Sequence, residues 1–207
     1  MPDAKPRFMF SLSDERAIGP LRCAWGPYRH GTPAEALVRP WLVEALGLPA
    51  DALPLRRDMH GRPRFDPPAA DADVSWSHSG ERLLVALGHG VQVGADLELL
   101  RPRPRALALA ERFFVRAETQ ALAALPAAAQ EAAFVRLWCA KEAVLKAHGR
   151  GLAFGLHRLE FALRGGDWAL VACDPELGAP PDWTLHAFTP MPGYLASLAW
   201  RTLPQPP

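Results

Sequence analysis

The spacing of hydrophobic residues changes along the chain, and each spacing predicts a different element. Apolar residues recur at helical spacing up to Leu46, which predicts a helix capped at its start by Thr32 and kinked or broken at Pro40. A continuous apolar run over residues 83–87 predicts a buried central strand. Strict alternation over residues 91–99 predicts a half-buried strand with its polar side chains on one face.

The remaining segments predict more helices and strands separated by loops. A loop rich in proline and charge covers residues 53–73, and a strand follows it at 74–80. Residues 101–105, Arg-Pro-Arg-Pro-Arg, form a stiff connector, because alternating prolines fit neither a strand nor a helix interior. Beyond the connector, helices are predicted over 106–114, 117–125 and 127–148, and strands over 159–163, 168–172, 183–188 and 194–200.

A weak internal duplication accompanies this pattern. The segment 36–41 resembles 133–138, and the tripeptide His-Gly-Arg occurs at both 60–62 and 148–150, in the same order. Each match is weak alone, but together they indicate a repeated unit. We therefore predict an α+β fold of two similar halves, divided as 1–100 and 101–207.

Composition excludes several classes of protein. The chain has 207 residues, 49% of them hydrophobic, which is typical of a folded globular protein. A formal net charge of +1 gives no electrostatic basis for binding nucleic acid or a membrane surface. No apolar run is long enough for a membrane helix, and the N-terminus lacks a signal-peptide core. The three cysteines form no CxxC pair, so we expect a reducing, cytoplasmic location.

Lysine is rare in this chain, and two of the three lysines lie on the long predicted helix. At 100° per residue, Lys141 falls within the helix's apolar arc, Glu142 lies on the flank, and Lys146 lies one turn beyond Glu142. A surface ion pair between Glu142 and Lys146 would explain Lys146 but not Lys141. An uncompensated lysine facing a core is costly, so this arc is expected to border a polar site.

Two carboxylates share the polar face of the alternating strand. Asp96 and Glu98 are two residues apart, so their side chains project together and their negative charges repel. A hard cation such as Mg²⁺ would relieve that repulsion. The alternative is an ordinary solvated strand face. With Glu142 as a third carboxylate and the lysines beside it, the pattern favours a site for a metal ion and phosphate groups.

Other polar residues fit the same kind of site. Ser77 and His78 are adjacent on an extended segment, so they point to opposite faces and make a poor nucleophile–base pair. Phosphate contacts suit them better, although a structural histidine is the alternative for His78. Arg62, in a predicted turn, could bind a phosphate through two donors, or could be a solvated loop arginine.

Six motifs in sequence order resemble the 4′-phosphopantetheinyl transferases of the larger, surfactin-synthetase-activating type. Each motif alone is weak, but the combination of G-x-D-x-E with W-x-x-K-E-x-x-x-K is specific. About half of the chain carries the resemblance. The motifs are HGRP (60–63), WSHSG (76–80), VGADLE (93–98), ERFFVRAE (111–118), FVRLWCAKEAVLK (134–146) and GRGLAF (149–154).

The resemblance implies a specific reaction and architecture. Such enzymes move the phosphopantetheine group of coenzyme A onto a serine of an apo acyl or peptidyl carrier protein, and they release 3′,5′-ADP. They require Mg²⁺, act as monomers, and hold coenzyme A in a cleft between two halves related by a pseudo-two-fold axis. Nucleic acid and membranes are not expected partners.

Matching by motif also implies roles for residues of this chain. The Mg²⁺ ligands would be Asp96, Glu98 and Glu142. Coenzyme A would be bound by Arg62, Ser77, His78 and Lys146, with Asp96 and Glu142 acting through the metal. The implied catalytic residues are Glu118, Lys146 and Glu142. Either Glu118 or a water activated by the metal would remove the proton from the carrier serine.

The sequence departs from the family pattern at two places, and two other functions stay open. Ser75 stands where the family usually has asparagine, and Arg29 and His30 are only approximate candidates for holding the 3′-phosphate of coenzyme A. The first rival function is another Mg²⁺-dependent enzyme that acts on phosphoanhydrides, such as a nucleotide hydrolase. The second is a non-catalytic sensor of coenzyme A or of a carrier protein.

Overall fold

The computed structural model describes residues 12, 14–49 and 51–203, and its helices and strands are interspersed along the chain. The helices are α1 (Ala34–Leu46), α2 (Ala106–Phe113), α3 (Arg116–Ala123) and α4 (Ala127–His148). The strands of the N-terminal part are β1 (Asp14–Ile18), β2 (Leu21–Pro27), β3 (Leu55–Arg57), β4 (Pro63–Phe65), β5 (Ala72–Ser79), β6 (Arg82–His89) and β7 (Val91–Leu99). The C-terminal strands are β8 (Leu159–Arg164), β9 (Asp167–Cys173), β10 (Thr184–Phe188) and β11 (Tyr194–Thr202). The fold is therefore mixed α and β.

Strand β7 connects the two main sheets. One antiparallel sheet has the order β1-β2-β6-β5, and the other has the order β10-β11-β7. Although β7 directly follows β6, its backbone pairs with β11, with Asp96 opposite Ser197. Its other side lies against β5, where the hydrogen bonds between the two strands involve side chains of β5. The strands β3 and β4, and the strands β8 and β9, form two separate two-stranded sheets.

Helix α4 packs directly on β7 at a glycine. A Cβ atom added to Gly94 would lie 1.8 Å from the carbonyl oxygen of Ala143, so only glycine permits this close approach. Ala143 and Ala147 are fully buried at the same contact, and small side chains keep the helix near the strand. This packing brings the last two turns of α4 beside the second half of β7.

Three hydrophobic clusters stabilise the part of the chain that the structure describes. One joins α1 to β2, β5 and β6, and a second joins α2, α3 and α4 to β8 and β11. The third surrounds β7 and includes residues of β2, β6 and β11. Each half of the chain thus has its own core, and β7 adds a shared one. The division at residue 100 and the pseudo-two-fold relation stay predictions.

Most predicted elements are confirmed, with local corrections. Helix α4 ends at Gly149 in the left-handed conformation, and β7 has the predicted bounds. Helix α1 continues through Pro40, so the predicted kink or break does not interrupt it, and Thr32 does not cap it because Pro33 is the N-cap residue and no side chain bonds there. The prediction that β7 is half-buried is wrong, because β5 and α4 cover its polar face and leave Asp96 only 2% exposed.

Within the described residues, four strands were not predicted from the sequence. The first two, β1 and β2, precede the first predicted helix, and β2 carries buried Leu21, Cys23 and Ala24 within a segment of mixed polarity. The hairpin of β3 and β4 lies inside the segment predicted as a loop. Its three-residue strands are too short to give a periodic signal.

Candidate active site

Strands β5 and β7 and helix α4 meet at Asp96. Its Oδ1 accepts a hydrogen bond from Ser77 Oγ on β5 at 2.8 Å and one from Lys146 Nζ on α4 at 2.6 Å. Lys146 also donates to Ser77 Oγ at 3.0 Å, which closes a triangle of three side chains. Although burial lowers it, the carboxylates of Asp96 and Glu142 raise the pKa of Lys146 above its ordinary value. Lys146 is therefore a fixed cation at this point of the site.

The same cluster contains negative charge that these contacts do not fully compensate. Asp96 Oδ2 is buried and has no hydrogen-bond partner among the described residues. Glu142 Oε2 lies 3.7 Å from Lys146 Nζ, beyond hydrogen-bond distance. Burial, followed by the negative charge of Asp96, raises the pKa of Glu142 to about 7, and Lys146 offsets only part of this rise. The site thus has an open carboxylate oxygen and a neighbouring carboxyl group that resists ionisation.

Glu98 lies on the same face of β7, two residues further along. Its Oε2 accepts hydrogen bonds from Ser79 Oγ at 3.1 Å and from a terminal nitrogen of Arg103 at 2.6 Å. The negative charge of Glu98 also contributes to raising the pKa of Glu142. Both of the other predicted metal ligands therefore act electrostatically on Glu142.

The donor set suits a magnesium ion, although its members are not gathered into a preformed cage. Within the described parts of the chain, no three side chains of His, Cys, Asp or Glu lie close enough together to form a ready ligand group. Lys146 lies among the carboxylates and satisfies one oxygen of Asp96. The unpartnered Oδ2 of Asp96 and the raised pKa of Glu142 both indicate a place that a divalent cation would stabilise.

A cationic cavity opens beside Lys146. Its volume is about 240 Å³, and its lining carries several positively charged side chains and one aromatic ring. The guanidinium of Arg57 lies 4.9 Å from the centroid of the Trp76 ring, so the two side chains form one stacked wall. Such a lining suits a phosphorylated ligand with a planar group. The charged and aromatic lining residues are Arg57, His60, Arg62, Trp76, Lys146 and Arg150.

Arg62 lines this cavity, but its side chain is already hydrogen-bonded to other residues of the protein. One terminal nitrogen donates to Asp73 Oδ2 and to the carbonyl oxygen of Val93, and the residue is only 6% exposed. Its Nε is buried and unpartnered within the described residues. These contacts fasten the β3–β4 hairpin to β5 and β7. A direct contact between Arg62 and phosphate stays a prediction, and the observed contacts assign it a structural role as well.

His78 points to the other side of β5, as the alternation of the strand requires. Its ring stacks on Tyr28 with centroids 4.1 Å apart, and its side chain is exposed. Burial first, then the positive charges of Lys146 and His30, lower the pKa of His78. A neutral His78 can donate one hydrogen bond to an anion at neutral pH. The electrostatic effect of His30 shows that this predicted residue lies near the same surface.

Comparison with known proteins identifies the family. A sequence profile described as the 4′-phosphopantetheinyl transferase superfamily matches residues 92–195, which contain α4, the carboxylate cluster and all of β7 except its first residue. The chain belongs to the 4′-phosphopantetheinyl transferase superfamily. The resemblance found in the sequence motifs is thereby confirmed.

Individual members of the superfamily align with much of the chain. It is 32% identical over 173 residues to the 4′-phosphopantetheinyl transferase HetI of Nostoc sp., covering 83% of this chain and 70% of that protein. It is 37% identical over 124 residues to psf-1 of Bacillus pumilus, covering 59% and 51% respectively. It is 30% identical over 151 residues to Sfp of Bacillus subtilis, covering 72% and 66%. The chain therefore spans two thirds or less of the length of these two Bacillus transferases.

Glu118, predicted as a catalytic base, is fully buried in this member of the superfamily. Its Oε1 lies 2.7 Å from Lys141 Nζ and accepts from the backbone of Phe161, while Oε2 accepts from the backbone of Val115. Burial raises the pKa of Glu118 and lowers that of Lys141 to about 8. No ion pair or hydrogen bond within the described residues joins this pair to Asp96 or the other carboxylates. The observed role of Glu118 is structural, and its role as a base stays a prediction.

A row of side chains on β5 was missed from the sequence. Alternate residues of β5 accept hydrogen bonds from the backbone of β7: Asp73 from Val93, Ser75 from Ala95, and Ser79 from Leu99. These oxygens replace the backbone partners that a paired strand would supply. The signal was present, because polar residues at every second position of a strand share one face. Ser75, where the family usually has asparagine, keeps a hydrogen-bonding role here.

No helix in the described segments has both the length and the apolar content needed to cross a bilayer.

Proposed function

We propose that the chain transfers the 4′-phosphopantetheine group of coenzyme A to a serine of an apo acyl or peptidyl carrier protein, and releases 3′,5′-ADP. The observation that carries the proposal is the Asp96, Glu142 and Lys146 cluster within a segment matched to the transferase superfamily. In that cluster, carboxylates that suit a divalent cation adjoin a lysine and a cavity that suit phosphate groups.

We propose Asp96, Glu98 and Glu142 as the ligands of a Mg²⁺ ion. Asp96 supports this with its buried, unpartnered oxygen, and Glu142 with its pKa raised by burial and by Asp96. When bound, Mg²⁺ supplies positive charge at the diphosphate of coenzyme A, where negative charge builds up as the phosphoanhydride bond breaks. Its binding would also favour the ionised form of Glu142.

We assign the remaining functions, which are to bind the phosphates and to hold positive charge beside them, to side chains of the chain itself. Lys146 supplies a fixed positive charge for phosphoryl oxygens, and Ser77 holds it against Asp96. His78, Arg62 and the cationic cavity lining bind the phosphates of coenzyme A, which has a planar adenine that suits the Arg57 and Trp76 wall. For Glu118 we propose the role of base that accepts the proton of the carrier serine, for which its carboxylate would first have to leave Lys141.

The finer architecture and setting belong to the same proposal. We propose two similar halves, 1–100 and 101–207, related by a pseudo-two-fold axis, with coenzyme A in the cleft between them. Separate hydrophobic cores in the two parts support this division. We also propose a cytoplasmic monomer that meets no nucleic acid or membrane, and a net charge of +1 is compatible with that.

The test is incubation with coenzyme A, Mg²⁺ and a panel of apo carrier proteins, read by intact mass. We expect at least one carrier to gain one phosphopantetheine mass, and its Ser→Ala variant to gain none. EDTA should abolish the gain. Release of nucleotide from coenzyme A without carrier modification would instead indicate a hydrolase, and tight coenzyme A binding with no turnover would indicate a sensor.

A further inference from the structure

The carboxylates of Asp96 and Glu98 are held in the same way. In each, one oxygen accepts from a serine of β5 and from a cationic side chain: Ser77 and Lys146 for Asp96, and Ser79 and Arg103 for Glu98. The second oxygen of Asp96 is buried and unpartnered among the described residues, and both hydrogen bonds to the Glu98 carboxylate go to its Oε2. The pattern fixes each carboxylate through one oxygen and leaves the other available.

Arg103 differs from its neighbours in the proline-rich connector. It lies between Pro102 and Pro104, which restrict the backbone on both sides. Its side chain is only 19% exposed, and its Nε is buried without a partner in the described part of the chain. Arg101 and Arg105, by contrast, are exposed. The connector therefore directs one particular arginine inward to Glu98.

We propose that Arg103, together with Ser79, is a positioning residue that orients Glu98 for binding a divalent cation. The proposal rests on the proposed function, because it takes the carboxylate cluster as the metal site. Side chains that hydrogen-bond a metal ligand restrict its orientation, and their loss typically weakens metal binding tenfold to a hundredfold. Arg103 has this relation to Glu98 at 2.6 Å.

Removing Arg103 has two opposing physical effects on cation affinity, and the sign of the measured change shows which one dominates. Arg103 is also a positive charge near the site, so its removal would strengthen cation binding if charge alone mattered. A positioning role predicts weaker binding after removal, despite the more negative site. The direction of the change in affinity therefore decides between them.

The experiment is a titration with Mn²⁺, followed by electron paramagnetic resonance of the free ion, with coenzyme A present and no carrier protein. We expect Arg103→Ala and Ser79→Ala each to weaken Mn²⁺ binding about tenfold or more. Arg103→Lys, which keeps a charge and a donor, should recover part of the affinity. Arg105→Ala removes the same charge from the same connector and should leave the affinity unchanged. Thermal melting shows that each variant is folded at the titration temperature.

The outcomes distinguish this proposal from the proposed function. Unchanged or tighter Mn²⁺ binding by Arg103→Ala would overturn the positioning role and leave the metal site standing. An equal loss in Arg105→Ala would also overturn it, because the effect would then come from general charge. Failure of the unaltered chain to bind Mn²⁺ would overturn the metal site itself, and the positioning role with it.

Discussion

Replacement of Glu142 by glutamine should stabilise the protein in a way that depends on pH. Burial, and then the charge of Asp96, raise the pKa of Glu142 from its ordinary 4.5 to about 7. Between these pH values the unfolded chain releases a proton that the folded chain keeps. The free energy of unfolding therefore falls as pH rises through this window, and the loss of stability stays constant above it. Glutamine has no charge to bury, so the Glu142→Gln variant does not lose this stability as pH rises.

The size of the effect follows from the same two pKa values. A rise from 4.5 to about 7 corresponds to about 3 kcal/mol in the free energy of unfolding above pH 7. The Glu142 side chain is 14% exposed, so water screens little of this. Glu142→Gln should gain nearly nothing at pH 4.5, most of its advantage between pH 5 and 7, and no more beyond.

The assay is urea unfolding at several pH values without divalent ions, followed by circular dichroism. Glu44→Gln, the same change at an exposed position of α1, is the matched control and should show no such trend. A constant difference between Glu142→Gln and the unaltered protein at every pH would refute the reasoning. So would a loss of stability at pH 8, because Glu142 would then be a structural residue.

Three further predictions concern Gly94, Lys141 and Lys146. Gly94→Ala should lower the free energy of unfolding, measured by chemical denaturation, by about 3 kcal/mol and abolish transfer. The reason is that its Cβ would meet the Ala143 carbonyl and push α4 from β7. Near-normal stability would contradict that packing. Lys141→Met should lower the free energy of unfolding by about 3–5 kcal/mol, because it leaves Glu118 charged and buried without its partner. Adding Glu118→Gln should restore much of the lost stability. If the two substitutions instead cause additive losses, the pairing is contradicted. Lys146→Ala should abolish turnover in a carrier-modification assay. Lys146→Arg should restore turnover only in part, because a planar guanidinium replaces a compact ammonium charge. Full activity of Lys146→Ala would remove this lysine from the mechanism.

The periodicity of the sequence predicted the elements that position the site. Strand β7 and helix α4 both have the predicted limits, because one alternates cleanly and the other ends at a glycine. The rotation of α4 also agrees with the structure, since Lys141 is fully buried and Lys146 lies beside Glu142. These features depend on residues that are close in sequence.

Contacts between distant residues could not be predicted in the same way. Sequence reasoning treated Asp96 and Glu98 as mutually repelling carboxylates, but Lys146 and Arg103 each supply a compensating charge. The burial of Glu118 against Lys141 likewise depends on how α3 and α4 pack together. No periodic pattern specifies such pairs, because the partners come from elements whose relative placement is set by the whole core.

The most direct test of the central claim is to measure carrier modification and nucleotide release in the same reaction. With coenzyme A, Mg²⁺ and a responsive apo carrier, we expect one phosphopantetheine per carrier by intact mass and an equimolar amount of 3′,5′-ADP by chromatography. Nucleotide release with no gain in carrier mass, or no reaction across a broad carrier panel despite coenzyme A binding, would contradict the assignment of this chain as a carrier-protein phosphopantetheinyl transferase.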